Sequence, residues 1–113
     1  MTDSIIDLLP EQREEVKRLL KKYLPNTEVW AYGSRVKFSA KPSSDLDLVV
    51  FSSTDQELKV ADLKEAFEES YLPFRIDLFV WKDLPESFQK NAKKQHIVLQ
   101  ENSKSPLVVR KED

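Results

Sequence analysis

The sequence DLDLVVF at residues 45–51 decides the fold. Successive side chains of a β-strand point to opposite faces of its sheet, so Asp45 and Asp47 share one face and the leucines between and after them share the other. Aspartate is depleted in strand interiors, where branched and aromatic residues are enriched. A strand that carries two acids on one face therefore indicates a site as well as a sheet.

A second apolar strand with an acid is predicted at residues 75–81, RIDLFVW, where Asp77 takes the corresponding place. A helix, capped at Ser53-Thr54-Asp55 and running to about Ser70, joins the two strands. If the strands are neighbours in register, the carboxylates of Asp45, Asp47 and Asp77 form one cluster. Such acids repel one another unless a cation lies among them, and a hard divalent cation such as Mg²⁺ prefers oxygen ligands. The alternative is that these acids are solvated surface residues with no shared site. That alternative is favoured for a single aspartate on a strand, but it is less favoured for three.

Hydrophobic periodicity and capping residues predict the other elements. These are a helix over residues 10–24, a strand over 28–32, a helix over 84–94 and a short strand or helix end at 96–100. The order predicts an α+β fold, a small mixed β-sheet with helices packed mainly on one face. Residues 1–100 form the predicted domain and residues 101–113 a C-terminal tail.

Composition excludes several classes of protein. The 113 residues are 40% hydrophobic and 34% charged, with a net charge of −2, whereas a sequence-blind nucleic-acid binder is expected to be basic. No apolar run approaches the roughly 20 residues of a membrane span. The chain has no cysteine, so thiolate metal sites and disulfides are excluded, which suits a cytoplasmic protein.

Gly33 is the one glycine in the chain. It follows a predicted strand and precedes Ser34, where a helical turn is expected to begin. Backbone N–H groups at such a turn, together with the serine hydroxyl, can bind phosphate. A Gly-Ser pair alone is a weak signal, so its spacing from the acids matters more.

Gly33-Ser34, ten further residues and then Asp45-Leu-Asp47 resemble the signature of the DNA polymerase beta-like nucleotidyltransferase superfamily. Arg35 and Ser44 match the motif in the smallest members, the minimal nucleotidyltransferase (MNT) antitoxins, which are partners of HEPN-domain ribonuclease toxins. Asp77 resembles the third carboxylate. Phe38 departs from the pattern, because such loops often carry a second glycine there.

The resemblance implies transfer of AMP from ATP to a hydroxyl acceptor, a tyrosine of a cognate HEPN toxin, as in a type VII-like antitoxin. It implies two Mg²⁺ ions, with Mn²⁺ as a substitute, and a hetero-oligomer with the toxin. The implied catalytic and metal-binding residues are Asp45, Asp47 and Asp77. The implied nucleotide-binding residues are Gly33, Ser34, Arg35 and Ser44.

Two other functions remain open at this stage. The first is a non-enzymatic nucleotide-binding module that neutralises a partner by contact alone, which Phe38 favours and the three acids oppose. The second is nucleotide transfer to a small molecule such as an aminoglycoside, which usually requires an added acceptor domain. Residues outside the motifs are interpreted as structural or solvated. The alternative for the tryptophans is base stacking, and the alternative for the basic residues is contact with an acidic partner. The residues interpreted in this way are His96, Trp30, Trp81, Lys90, Lys93, Lys94 and Arg75.

Overall fold

The computed structural model describes residues 8–33 and 44–102. Within them lie three α-helices and four β-strands. The helices are α1 (Pro10–Tyr23), α2 (Glu57–Glu68) and α3 (Glu86–Lys94), and the strands are β1 (Val29–Tyr32), β2 (Leu46–Val50), β3 (Ile76–Val80) and β4 (Ile97–Gln100).

The four strands form one mixed sheet in the order β3-β2-β1-β4. Strand β1 is antiparallel to both β2 and β4, whereas β2 and β3 are parallel. Helix α2 makes the crossover that a parallel pair requires, since two parallel strands cannot be joined by a tight turn. The predicted α+β class and mixed sheet are confirmed.

The apolar core lies between one face of the sheet and helices α1 and α2, which pack against each other. Leu20 of α1, Leu48 of β2 and Leu63 of α2 are completely buried in it. Because side chains alternate along a strand, burying Leu48 and Leu78 turns Asp47 and Asp77 to the opposite face. The packing of the core therefore fixes the face on which the acids stand.

Polar contacts hold the connections around this core. The amide of Gln100, on β4, donates hydrogen bonds to the backbone carbonyls of Leu24 and Thr27, both at 2.7 Å, and so ties the end of α1 to the sheet. The side chain of Gln56 donates to the Thr27 hydroxyl at 3.0 Å. Asn26 in this turn has φ of +59°, a conformation that asparagine tolerates better than most residues.

The elements differ from the sequence predictions mainly at their ends. Residues Thr54–Gln56 and Trp81–Asp83 form short 3₁₀ turns before α2 and α3, so α2 starts at Glu57 and α3 at Glu86. Residues 97–100, left open as strand or helix end, form strand β4. In the described part of the chain, no helix is both long and apolar enough to cross a membrane.

Candidate active site

Asp47 and Asp77 stand side by side on the face of the sheet that the core does not occupy. They are register partners in the parallel pair β2–β3. Asp45 comes two residues before Asp47, immediately before β2, and therefore has the same parity. The structure thus brings the three predicted acids to one end of two neighbouring strands.

The closeness of the acids shows in the electrostatics of Asp47. Burial raises the pKa of its carboxyl to about 6, and the negative charges of Asp77 and Asp45 add to the rise, while Arg75 opposes it. Two neighbouring negative charges oppose the ionisation of a partly desolvated carboxyl, and the positive charge of Arg75 offsets only part of this effect. This is the electrostatic setting in which a divalent cation binds.

Arg75 partly compensates the acids. Its Nε donates a hydrogen bond to Asp77 Oδ1 at 3.1 Å, and a terminal nitrogen lies 3.8 Å from Asp45 Oδ2. These contacts raise the pKa of the guanidinium further above its ordinary value. The sequence analysis gave Arg75 an acidic partner molecule as an alternative and did not pair it with Asp45 or Asp77. Residues 75 and 77 nevertheless lie on the same face of the strand.

Gly33 lies directly against Asp47. Its φ is +88°, a conformation that residues with a side chain rarely adopt. A Cβ atom built there would stand 2.5 Å from Asp47 Oδ2, far inside van der Waals contact. The glycine therefore serves two needs, the turn out of β1 and the close approach of the backbone to a carboxylate.

The other predicted nucleotide-binding residues are only partly described. Ser44 is half-buried and directly precedes Asp45. Ser34, Arg35 and Phe38 lie outside the described residues. The phosphate-binding turn consequently remains a prediction beyond Gly33.

Two aromatic residues border the acids and were not singled out from the sequence. Tyr32 is the register partner of Asp47 on β1, and burial, followed by the charges of Asp47 and Asp77, raises the pKa of its hydroxyl to about 12. Phe79 follows Asp77 by two residues on β3, is 39% exposed, and its ring centroid lies 6.4 Å from that of Tyr32. The alternation of side chains along β1 and β3 could have predicted that both rings lie on the face of the acids.

A groove opens beside Asp77 along the outer edge of β3. Its volume is about 610 Å³. Its walls come from the second half of α2, the connection to β3 and β3 itself, and include Lys64, Phe67, Glu68, Phe74 and Asp77. In the described part of the chain, β3 pairs only with β2, so this side of the site is open to an approaching molecule.

The acids offer oxygen ligands of the kind that Mg²⁺ prefers. Within residues 8–33 and 44–102, no three acidic or histidine side chains are already arranged as a metal-binding group. Two of the three carboxylates instead have Arg75 as a partner, Asp77 through a hydrogen bond and Asp45 through an ion pair. The raised pKa of Asp47 and the shared parity of the acids fit a divalent cation, provided that the side chains turn towards it.

Farther along the same face, the aromatic residues pack against one another. The ring of Trp30 stacks on His96, with centroids 3.7 Å apart, and makes an edge contact with Trp81 at 5.5 Å. Phe51 contacts both tryptophans. The His96 Nδ1 lies 2.8 Å from the carbonyl of Ala92. These contacts agree with the structural interpretation of His96 and the tryptophans.

The sheet is mixed and carries helices on one face, and paired aspartates on adjacent parallel strands lie beside a glycine turn. This combination defines a nucleotidyltransferase domain of the polymerase beta class. The family profile "Polymerase beta, Nucleotidyltransferase" matches residues 14–105, and the chain belongs to this family. The resemblance predicted from the Gly-Ser and Asp-Leu-Asp motifs is therefore confirmed.

The chain is 43% identical over 101 residues to "Probable protein adenylyltransferase MntA" of Haemophilus influenzae, a match that covers 88% of this chain and 89% of that protein. A toxin–antitoxin complex solved with AMP-PNP is similar in structure, with a TM-score of 0.62 and 17% identity over 88% of this chain and 80% of its own. An MNT antitoxin in complex with a tri-AMPylated HEPN toxin of Shewanella oneidensis gives a TM-score of 0.51 at 12% identity, over 87% and 76% of the two chains. At these identities the structures support the fold.

Proposed function

We propose that this chain transfers AMP from ATP to a tyrosine hydroxyl of a cognate HEPN toxin and thereby acts as its antitoxin in the cytoplasm. The observation that carries the proposal is the pairing of Asp47 with Asp77 beside Gly33. The similarity to MntA supports protein as the acceptor. One of its structural relatives was solved in a complex with AMP-PNP and another in a complex with an AMPylated HEPN toxin, which supports ATP as the donor and a HEPN toxin as the partner.

In this proposal two Mg²⁺ ions, held by Asp45, Asp47 and Asp77, supply charge stabilisation for an in-line displacement. Gly33 lets the backbone approach the triphosphate, and Ser34, Arg35 and Ser44 bind its oxygens. The tyrosine oxygen attacks the α-phosphorus, and the bond from that phosphorus to the bridging oxygen of the β-phosphate breaks. Pyrophosphate leaves, and Asp77 receives the proton of the hydroxyl.

The groove along β3 is the side from which we expect the acceptor to approach. It is lined by Asp77 and by Phe79 and is open along the edge of the sheet. A tyrosine hydroxyl titrates near pH 10 and is a poor nucleophile at neutral pH, so it must be held in line with the α-phosphate. The partner is expected to provide that positioning, because the groove along β3 is open to solvent.

The proposal is tested by incubating the chain and its toxin with ATP and Mg²⁺ and measuring the intact mass of the toxin. We expect mass increments of one or more AMP units with the wild-type chain and none with Asp77→Asn, although the Asp77→Asn chain still forms the complex. Asp62→Asn is the matched control, because this exposed acid lies on α2 away from the site. A toxin that is neutralised without any gain in mass would instead establish the contact-only binding module.

A further inference from the structure

Arg75 places a positive charge where a metal ion is proposed to bind. Its guanidinium contacts Asp77 at 3.1 Å and lies 3.8 Å from Asp45, two of the three acids assigned to the metal. Arginine has five N–H donors and remains charged at any physiological pH. The guanidinium and a divalent cation therefore compete for the same carboxylate oxygens.

We propose that Arg75 is the counter-ion of the acids in the metal-free chain, that it gives way to the metal ions, and that it then binds the phosphates of the nucleotide. This inference rests on the proposed function and concerns the same site. It makes the binding of metal and the binding of nucleotide depend on each other.

The environment of Arg75 suits a movable cation. Its side chain is 71% exposed and the Asp45 side chain 44%, so the pair between them is well solvated. Exposed ion pairs are weak, because water screens the charges and two long side chains lose freedom. The arginine can thus leave the acids at little cost in free energy once the carboxylates or the guanidinium have a stronger partner.

The triphosphate is that stronger partner. Mg²⁺ on the acids repels the guanidinium, while the phosphates carry several negative charges and offer paired oxygens that match the planar fork of arginine. Arg75 immediately precedes β3 and lines the groove beside Asp77, so its side chain is within reach of a nucleotide bound at the acids. Without nucleotide, the metal must displace an arginine that has no new partner. We therefore expect weak metal binding to the free chain and tight binding of metal and ATP together.

The test measures Mn²⁺ binding to the full chain by electron paramagnetic resonance, first without nucleotide. Arg75→Gln should bind Mn²⁺ about threefold to fivefold more tightly than wild type, the size expected when an exposed ion pair is removed. Lys59→Gln, at an exposed position of α2, removes the same charge away from the site and should leave the affinity unchanged. Arg75→Lys keeps the charge but loses the planar fork, and should fall between wild type and Arg75→Gln.

A second titration measures the affinity for ATP at saturating Mn²⁺. Here Arg75→Gln should bind ATP about threefold to fivefold more weakly than wild type, because the contact with phosphate is lost. A purely structural arginine would not change the two affinities in opposite directions. Circular dichroism of each variant checks that the fold is retained, as expected for so exposed a side chain.

The outcomes separate this inference from the proposed function. If Mn²⁺ binding is abolished by Asp47→Asn yet equal in Arg75→Gln and wild type, the metal site stands and the competition by Arg75 is refuted. If Arg75→Gln gains Mn²⁺ affinity but binds ATP as wild type does, the transfer of Arg75 to phosphate is refuted. If Asp47→Asn leaves Mn²⁺ binding unchanged, the proposed metal site and this inference both fail.

Discussion

Replacing Asp47 by asparagine should make the nucleotide-free protein more stable at neutral pH while it removes a proposed metal ligand. The folded-state pKa of Asp47 is about 6, against 3.8 as the reference value, so ionising this carboxyl in the folded protein costs free energy. The difference of about two pH units corresponds to roughly 3 kcal/mol at 1.36 kcal/mol per unit. Because Asp47 is only half-buried, solvent screening reduces the expected cost to about 1–2 kcal/mol.

The sign of the pH dependence follows from the raised pKa. The folded state holds the proton of Asp47 more tightly than the unfolded state does, so this stabilisation is fully present below about pH 4 and is lost as the pH rises through 6. Asparagine resembles the protonated carboxyl and does not titrate. Asp47→Asn should therefore match wild type near pH 4 and exceed it above pH 6.

Thermal unfolding followed by circular dichroism measures the difference. A gain of 1–2 kcal/mol corresponds to roughly 5–10 °C in Tm for a chain of this size. Asp62→Asn is the control for the charge change. Added Mg²⁺ should raise the Tm of wild type and leave that of Asp47→Asn nearly unchanged. The electrostatic account of the site is refuted if Asp47→Asn and Asp62→Asn have the same Tm as wild type at pH 7.5 in the absence of metal.

Three further outcomes follow from other contacts. Gly33→Ala should lower stability by about 1–3 kcal/mol in urea titrations and abolish Mn²⁺ binding, because its Cβ would collide with Asp47 and φ of +88° is strained for alanine; Mn²⁺ affinity equal to that of wild type would contradict this. Gln100→Ala should cost about 1–2 kcal/mol in the same titrations, since two backbone carbonyls lose their donor, whereas an unchanged midpoint would show that water replaces the amide. Mn²⁺ affinity should fall about tenfold per pH unit below 6, as a proton competes for Asp47; an affinity that is flat from pH 5 to 7 would remove Asp47 from the ligands.

Strand parity correctly predicted that Asp47 and Asp77 share one face, because the packing of the core enforces it. Once Leu48 and Leu78 face the helices, Asp47 and Asp77 must share the other face. The predicted helix between the two strands makes the crossover that their parallel pairing requires. The same alternation of side chains places Arg75 and Phe79 on the face of Asp77, although the sequence analysis did not assign either residue to the site.

Other features depend on contacts between distant residues, which local patterns do not contain. The short segment at 97–100 pairs with β1 on the side away from the acids, although its sequence suited a strand or a helix end equally well. The contacts of Arg75 are a matter of side-chain rotamer. The 3₁₀ turn at Trp81–Asp83 depends on packing, since Gln89 of α3 donates its amide hydrogen to the Trp81 carbonyl at 2.8 Å.

The position of Gly33 against Asp47 also has a consequence for how this protein tolerates mutation. Every other genetically encoded amino acid carries a Cβ, so each missense change of this codon introduces an atom at the 2.5 Å contact. The chain holds one glycine among 113 residues, and that glycine touches the site. Most surface substitutions change stability by less than about 0.5 kcal/mol. Selection in a population should therefore remove variants at this one codon far more strictly than at the exposed positions of the helices.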